Sequence, residues 1–271
     1  MGKGYLICVD SDGCAMDTMN SKHKLCFGPA LVEEWELWPW REEILKQWEK
    51  MNLYSMDRGI NRFAGLAKML CIVNERYTPI EGLAPYLEWA GKSQRLSEEA
   101  LLSHMQESKG VCFAKALSWS RRVNEKIAAM APEEKRAFPG VKEALERARL
   151  HADVAVVSSA NKEAVEKEWE EQGILKYVDW VLTQSVGSKK DILAALLQNH
   201  GYEVSHVLMI GDAPGDARAA QDNHILFYPI LPGAEEASWR DFPRALSKML
   251  QGAYQGQYQK QLLSSFYEQM Q

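Results

Sequence analysis

Four short apolar runs constrain this chain more than any other feature of its sequence. Tyr5–Val9 is followed at once by Asp10, Val154–Val157 by Ser158, Val178–Leu182 by Thr183 and Val207–Ile210 by Gly211. Runs this short, rich in Val and Ile and cut off by small or polar residues, read as strands buried on both faces. From residue 139 onward they alternate with helical patterns: Val141–Leu150 after Pro139-Gly140, Lys162–Gln172, Lys189–His200 and Pro214–Asp222, where Pro214 suits a first helical turn. Such alternation predicts an α/β fold, a doubly wound parallel sheet with helices on both faces. A further run, Ile225–Tyr228, adds an outer strand.

Between the first run and the second lie about 145 residues with no strand period, where a βα connection normally takes two to six. That excess is a domain. Leu31–Met51, Ile60–Val73, Glu98–Glu107 and Val111–Met130 carry helical spacing, so residues 20–137 are expected to form an inserted all-α domain, with 1–19 and 138–271 as the α/β core. Six of the nine tryptophans (Trp35, Trp38, Trp40, Trp48, Trp89 and Trp119) fall in the insertion. They are expected as its core rather than as a platform for stacking sugars. In the tail, Leu250, Tyr254, Tyr258, Leu262 and Phe266 recur every four residues and predict a C-terminal helix, docked on its own core or, as the alternative, forming a dimer contact.

Charge and cysteine usage narrow the partners. Lys and Arg number 32 against 37 Asp and Glu, a net charge of −5, and neither sign forms a long block. A net-acidic surface argues against nucleic acid as the main partner. No apolar run approaches the ~18 residues of a membrane span, and Tyr5–Val9 is too short for a signal-peptide core, so a cytoplasmic protein with no membrane partner is expected. The five cysteines form no CxxC pair, so free thiols are expected rather than a zinc site or a disulfide framework.

In an open parallel sheet, ligands bind beyond the carboxyl ends of the strands. The residues expected there are Asp10-Ser11-Asp12-Gly13, Ser158-Ser159, Gly187-Ser188-Lys189-Lys190 and Gly211-Asp212-Ala213-Pro214-Gly215-Asp216. An Asp-x-Asp alone is weak, but this one follows a buried strand directly and has a second acidic cluster after a later strand. Carboxylates gathered at one sheet edge repel one another unless a cation neutralises them. Hard oxygen ligands suit Mg²⁺. Ser188-Lys189-Lys190-Asp191 fits a capping box, which puts Lys189 in a first helical turn aimed at the strand ends.

In order and context, these four signatures resemble the four motifs of the haloacid dehalogenase superfamily. The resemblance covers Gly4–Thr18 and Pro139–Ile230 and leaves the insertion unassigned. It implies a Rossmann-like core and an enzyme that uses Asp10 as nucleophile, forming an aspartyl-phosphate, with Asp12 as general acid and then base. It further implies that Mg²⁺ is held by a carboxylate oxygen of Asp10, the backbone carbonyl of Asp12 and the carboxylate of Asp212. Asp216 would orient metal-bound water or the lysine. Ser158, with Ser159 as its rival, would bind a phosphoryl oxygen, and Lys189, with Lys190 as its rival, would neutralise nucleophile and phosphate. The chemistry is consistent, since a carboxylate can split one hard displacement at phosphorus into two easier ones.

The insertion follows the first motif, while only 29 residues separate Ser159 from Lys189, which resembles a helical cap of the first (C1) type with no second cap. Such caps close over the site and supply specificity, and Gly13–Asn20 would be a flexible exit from the core. If Asp57–Leu70 is a helix, Arg58, Asn61, Arg62 and Gly65 share a face, which reads first as a solvated, salt-bridged surface, with Arg58 and Arg62 as the cap candidates for an anionic substrate group. The same resemblance implies that the acid at position 12 disfavours dehalogenation and phosphonate cleavage. The expectation is a Mg²⁺-dependent phosphomonoesterase acting on a small phosphorylated metabolite. A phosphomutase of the β-phosphoglucomutase type and a non-catalytic phosphate- or metabolite-binding regulator are the alternatives.

Overall fold

The computed structural model describes residues 3–93, 95–107 and 110–270. The chain divides into two compact units, one made of Met1–Met19 and Ala131–Gln271, the other of Asn20–Met130.

The first unit is built on a five-stranded parallel sheet. Its strands are β1 (Leu6–Val9), β4 (Asp153–Val157), β5 (Trp180–Leu182), β6 (Val207–Gly211) and β7 (Leu226–Pro229), in the spatial order β5-β4-β1-β6-β7. Every residue of β1, β4, β6 and β7 is buried, as continuous apolar runs require when helices cover both faces. Alternate side chains feed two separate cores. Ile7, Val9, Val154, Val156, Leu208 and Ile210 pack on one side with Val141, Leu145, Trp169, Trp239 and Phe242; Leu6, Cys8, Ala155, Val157, Val207 and Met209 pack on the other with Ile192, Leu196, Ala220 and Phe266. The order reverses at β1, which lies between β4 and β6, and that is where a doubly wound sheet opens a crevice for ligands.

Two short strands escaped the apolar pattern. β2 (Met16–Asp17) and β3 (Arg136–Ala137) pair antiparallel, too short to show a period. The stretch Gly13–Asn20, expected as a flexible exit, is thus partly tied down on its own unit. The tail also differs from the single helix expected. Helix Glu235–Leu250 ends in a turn at Gln251, and helix Gln257–Gln269 starts afresh after Gly256. Tyr254, in the break, is buried and donates its hydroxyl to the Phe227 carbonyl at 2.7 Å, and Phe266 is buried beneath β7.

The second unit is all helical. After a wide π-type turn at Lys22–Phe27 come helices Gly28–Glu34, Arg41–Leu53, Arg62–Arg76, Leu83–Lys92, Glu98–Glu107 and Val111–Ala128. The continuous helix expected over Leu31–Met51 is broken. Glu36 takes a positive φ of 55°, and Trp38-Pro39-Trp40 form a 3₁₀ turn before the chain turns helical again, because a proline cannot donate to the preceding turn. Trp35, Trp48, Trp89 and Trp119 lie in this unit's core, Trp40 packs at its margin and Trp38 is exposed. Among the described residues all five cysteines are free, and no helix is long and apolar enough to cross a membrane.

Candidate active site

Asp10 extends the central strand by one residue, its amide donating to the Ile210 carbonyl at 2.9 Å. The chain then reverses tightly. The Ser11 carbonyl accepts the amides of Cys14, Ala15 and Met16, and the Gly13 amide returns to the Met16 carbonyl at 2.8 Å. Gly13 holds a φ of 80°, which an L side chain resists. This turn leaves Asp10 buried and Asp12 partly exposed. The buried hydroxyl of Thr18 donates to Asp12 Oδ1 and fixes that carboxylate.

The neighbouring strand β6 ends at Gly211 and delivers Asp212, fully buried, beside Asp10. Pro214 opens the next helix, and Asp216 in its first turn bends back so that Oδ2 accepts the Ala213 amide at 3.1 Å. Gly211 makes this approach possible: a Cβ there would stand 2.4 Å from Asp216 Oδ2. On the other side of the crevice, the Ser188 hydroxyl accepts the Asp191 amide and the Ser188 amide donates to Asp191, a complete capping box. Lys189 follows it, and its Nζ lies 2.8 Å from Asp10 Oδ1 while also bonding Asp216 Oδ1. Lys190 turns to the surface, where it meets Asp222 at 3.1 Å.

Ser158 ends β4. It is buried, and its Oγ accepts the Ala160 amide at 3.1 Å, which leaves the hydroxyl proton to be donated elsewhere. Ser159 is exposed. The helix that follows is capped by Asn161, whose side chain accepts the Ala164 amide.

Burial pushes the Asp10 carboxyl well above the usual carboxylate range; Lys189 pulls it down, while Asp216 and Asp212 push it further up. Burial disfavours the charge on Lys189, but Asp10 and Asp216 outweigh it and hold the lysine above its ordinary value. Three buried carboxylates, Asp10, Asp212 and Asp216, therefore lie with oxygens within 4.8 Å of one another, and the Lys189 ammonium pairs with two of them, Asp10 and Asp216. Such a cluster is short of positive charge. Both Asp216 oxygens already accept hydrogen bonds, from Lys189 and from the Ala213 amide, so Asp10 and Asp212 are the pair suited to a cation. Hard carboxylate donors fit Mg²⁺.

The two arginines expected on one helical face do not share one. Residues 57–60 form a turn, the helix starts at Arg62, and Asn61 caps it by accepting the Phe63 amide at 2.9 Å. Arg58 is buried and donates to the Leu53 carbonyl at 2.8 Å. Arg62 donates to Ser120 Oγ at 3.1 Å and Asn124 Oδ1 at 2.8 Å, and its guanidinium lies over the Phe27 ring. The sequence pattern also missed Thr18. Its neighbours Met16-Asp17 carry no strand period, so nothing in the sequence aimed its hydroxyl at Asp12.

The sequence profile described as haloacid dehalogenase-like hydrolase matches residues 85–228. That stretch takes in Ser158, Lys189, Asp212 and Asp216, while Asp10 and Asp12 precede it. No curated protein sequence matches the chain. Solved structures share its fold at low identity. A predicted phosphoglycolate phosphatase from Haemophilus somnus 129pt aligns with a TM-score of 0.53 and 16% identity, over 90% of this chain and 98% of its own. A candidate phosphoglycolate phosphatase from Lactobacillus delbrueckii subsp. bulgaricus aligns with a TM-score of 0.52 and 15% identity, over 84% and 85%. A predicted phosphatase from Clostridium acetobutylicum gives 0.50 and 11%, over 91% and 99%.

Proposed function

The chain belongs to the haloacid dehalogenase-like hydrolase family, and from that premise we propose that it is a Mg²⁺-dependent phosphomonoesterase acting on a small phosphorylated metabolite. The observation that carries this reading is the buried cluster of Asp10, Asp212 and Asp216 at the carboxyl end of the central strands, with Lys189 paired to Asp10 and Asp216. Asp10 attacks phosphorus and the ester P–O bond breaks. The departing oxygen takes its proton from Asp12, whose position Thr18 fixes. Asp12 then accepts a proton from water as that water attacks the aspartyl-phosphate, releasing phosphate and restoring Asp10.

Lys189 neutralises charge on nucleophile and phosphoryl group alike, and Asp216 holds the lysine in place. Ser158 donates its hydroxyl to a phosphoryl oxygen, aided by amides at the start of helix Lys162–Glu171. Asp10, the Asp12 carbonyl and Asp212 would hold Mg²⁺. When bound, the ion supplies Lewis-acid stabilisation of the phosphoryl oxygens. In this reading Asn20–Met130 is a helical cap of the first type.

The test is release of phosphate, with Mg²⁺ present, from a panel of phosphorylated sugars, amino acids, nucleotides and glycolate, beside Asp10→Asn. Selective release that Asp10→Asn abolishes is the expected result. Turnover by Asp10→Asn at the wild-type rate sinks the nucleophile, and no release from any substrate sinks the phosphatase.

A further inference from the structure

The turn that carries both aspartates is held by a side chain from far along the chain. Trp169, on helix Lys162–Glu171, is fully buried, and its indole Nε1–H donates to Ser11 Oγ at 2.9 Å. Ser11 is itself fully buried and stands between Asp10 and Asp12. Its carbonyl is the acceptor for the Cys14, Ala15 and Met16 amides, at 3.3, 3.0 and 2.8 Å. Holding Ser11 therefore holds the whole reversal. A second indole reaches the same turn, as Trp239 Nε1 donates to the Cys14 carbonyl at 2.8 Å.

Packing alone does not account for the first bond. A phenylalanine fills most of an indole's place, and serine is a poor core residue unless its hydroxyl is satisfied. The bond pairs two groups that are each costly to leave buried alone. It also joins two pieces of the site, because the helix that carries Trp169 is the one that begins just after Ser158-Ser159.

We infer that Trp169 is a positioning residue: through Ser11 it sets the Asp10–Asp12 turn against the helix that follows the Ser158 loop. Its effect on rate rests on the phosphatase reading of Asp10 and Asp12, while its effect on the turn does not. A small misplacement of a nucleophile lowers the rate of the chemical step far more than it lowers binding.

The test compares Trp169→Phe, Ser11→Ala and the double variant, in two readouts. The first is steady-state hydrolysis of p-nitrophenyl phosphate with Mg²⁺. Each single variant is expected to lose roughly tenfold in kcat with KM held within about twofold, and the double to fall no lower than the worse single. The second is amide hydrogen exchange, which needs no substrate. Exchange at Cys14, Ala15 and Met16 is expected to quicken in both single variants while β4 and β6 stay protected, and the Trp169 indole proton is expected to exchange faster in Ser11→Ala. Unchanged exchange at those three amides, quickening shared equally by β4 and β6, or a double variant whose kcat loss is the product of the singles overturns the inference. Local quickening in a protein that hydrolyses no phosphomonoester leaves the positioning role standing and sinks the phosphatase. Turnover that the variants do not alter sinks the positioning role alone.

Discussion

The two edges of the parallel sheet both carry carboxylates, and they treat them in opposite ways. At the amino edge, Asp153 accepts the Tyr202 hydroxyl at 2.6 Å and the Lys3 amide at 3.0 Å. Nearby, Asp179 accepts the Val154 amide at 2.9 Å and pairs with Arg149. Each acid there has its own donors, and the arrangement joins chain segments. At the carboxyl edge, Asp10, Asp212 and Asp216 crowd within 4.8 Å, and the ammonium of Lys189 pairs with Asp10 and Asp216. The difference separates carboxylates that fasten a fold from carboxylates whose crowding, in a buried site, destabilises the protein unless a cation joins them.

The sharpest way to break that contrast is to remove the acid at its centre. Asp10→Asn should cut phosphate release by at least about 10³-fold while the circular dichroism spectrum is unchanged. Asp212→Asn, or EDTA added to the wild type, comes next, with an expected loss of at least about 10²-fold; restoration by added Mg²⁺ should occur in the wild type only. Lys189→Met should cost about 10²-fold in kcat, whereas Lys190→Met, one residue along, should stay within about twofold. At the opposite edge, Asp153→Ala should leave kcat within about twofold but lower stability to urea by about 1–3 kcal/mol, because it strands the Tyr202 hydroxyl.

The smallest effect is one of pH. The Asp10 carboxyl is raised in the fold by burial, and by Asp216 and Asp212 against the pull of Lys189. A raised carboxyl contributes stability that is fully present below its unfolded pKa and lost as pH rises through the folded one. In EDTA, Asp10→Asn should therefore unfold at a higher temperature than the wild type at neutral pH, and the gap should close on acidification towards the ordinary carboxylate value. A gap that widens on acidification would reverse the sign of the charge argument.

Much of this contrast is written in the sequence at the level of strands. The apolar runs ending at Asp10, Ser158 and Gly211 announce a buried parallel sheet, because strands covered on both faces have no polar alternation to hide them. Capping chemistry marks Ser188 as a helix start, and with it the direction of Lys189. What stayed hidden has a common physical cause. The Thr18–Asp12 bond, the return of Asp216 to the Ala213 amide and the Trp169–Ser11 bond each depend on turns that carry no period. Arg58 and Arg62 look like helical neighbours by spacing alone, until Asn61 caps the helix between them. Leu250 and Phe266 look like one helix until Gly252 and Gly256 intervene with positive φ.

The central place of β1 also has a consequence in time. Its two partners, β4 and β6, are synthesised after the whole of Asn20–Met130. At ribosomal rates β1 waits on the order of ten seconds for its first neighbour. During that wait an apolar strand has no edge to pair with, while the helical unit, rich in local contacts, can already close. Expression yield should therefore depend on what shelters Tyr5–Val9 in the nascent chain, and a chaperone that binds short apolar segments should find a target there.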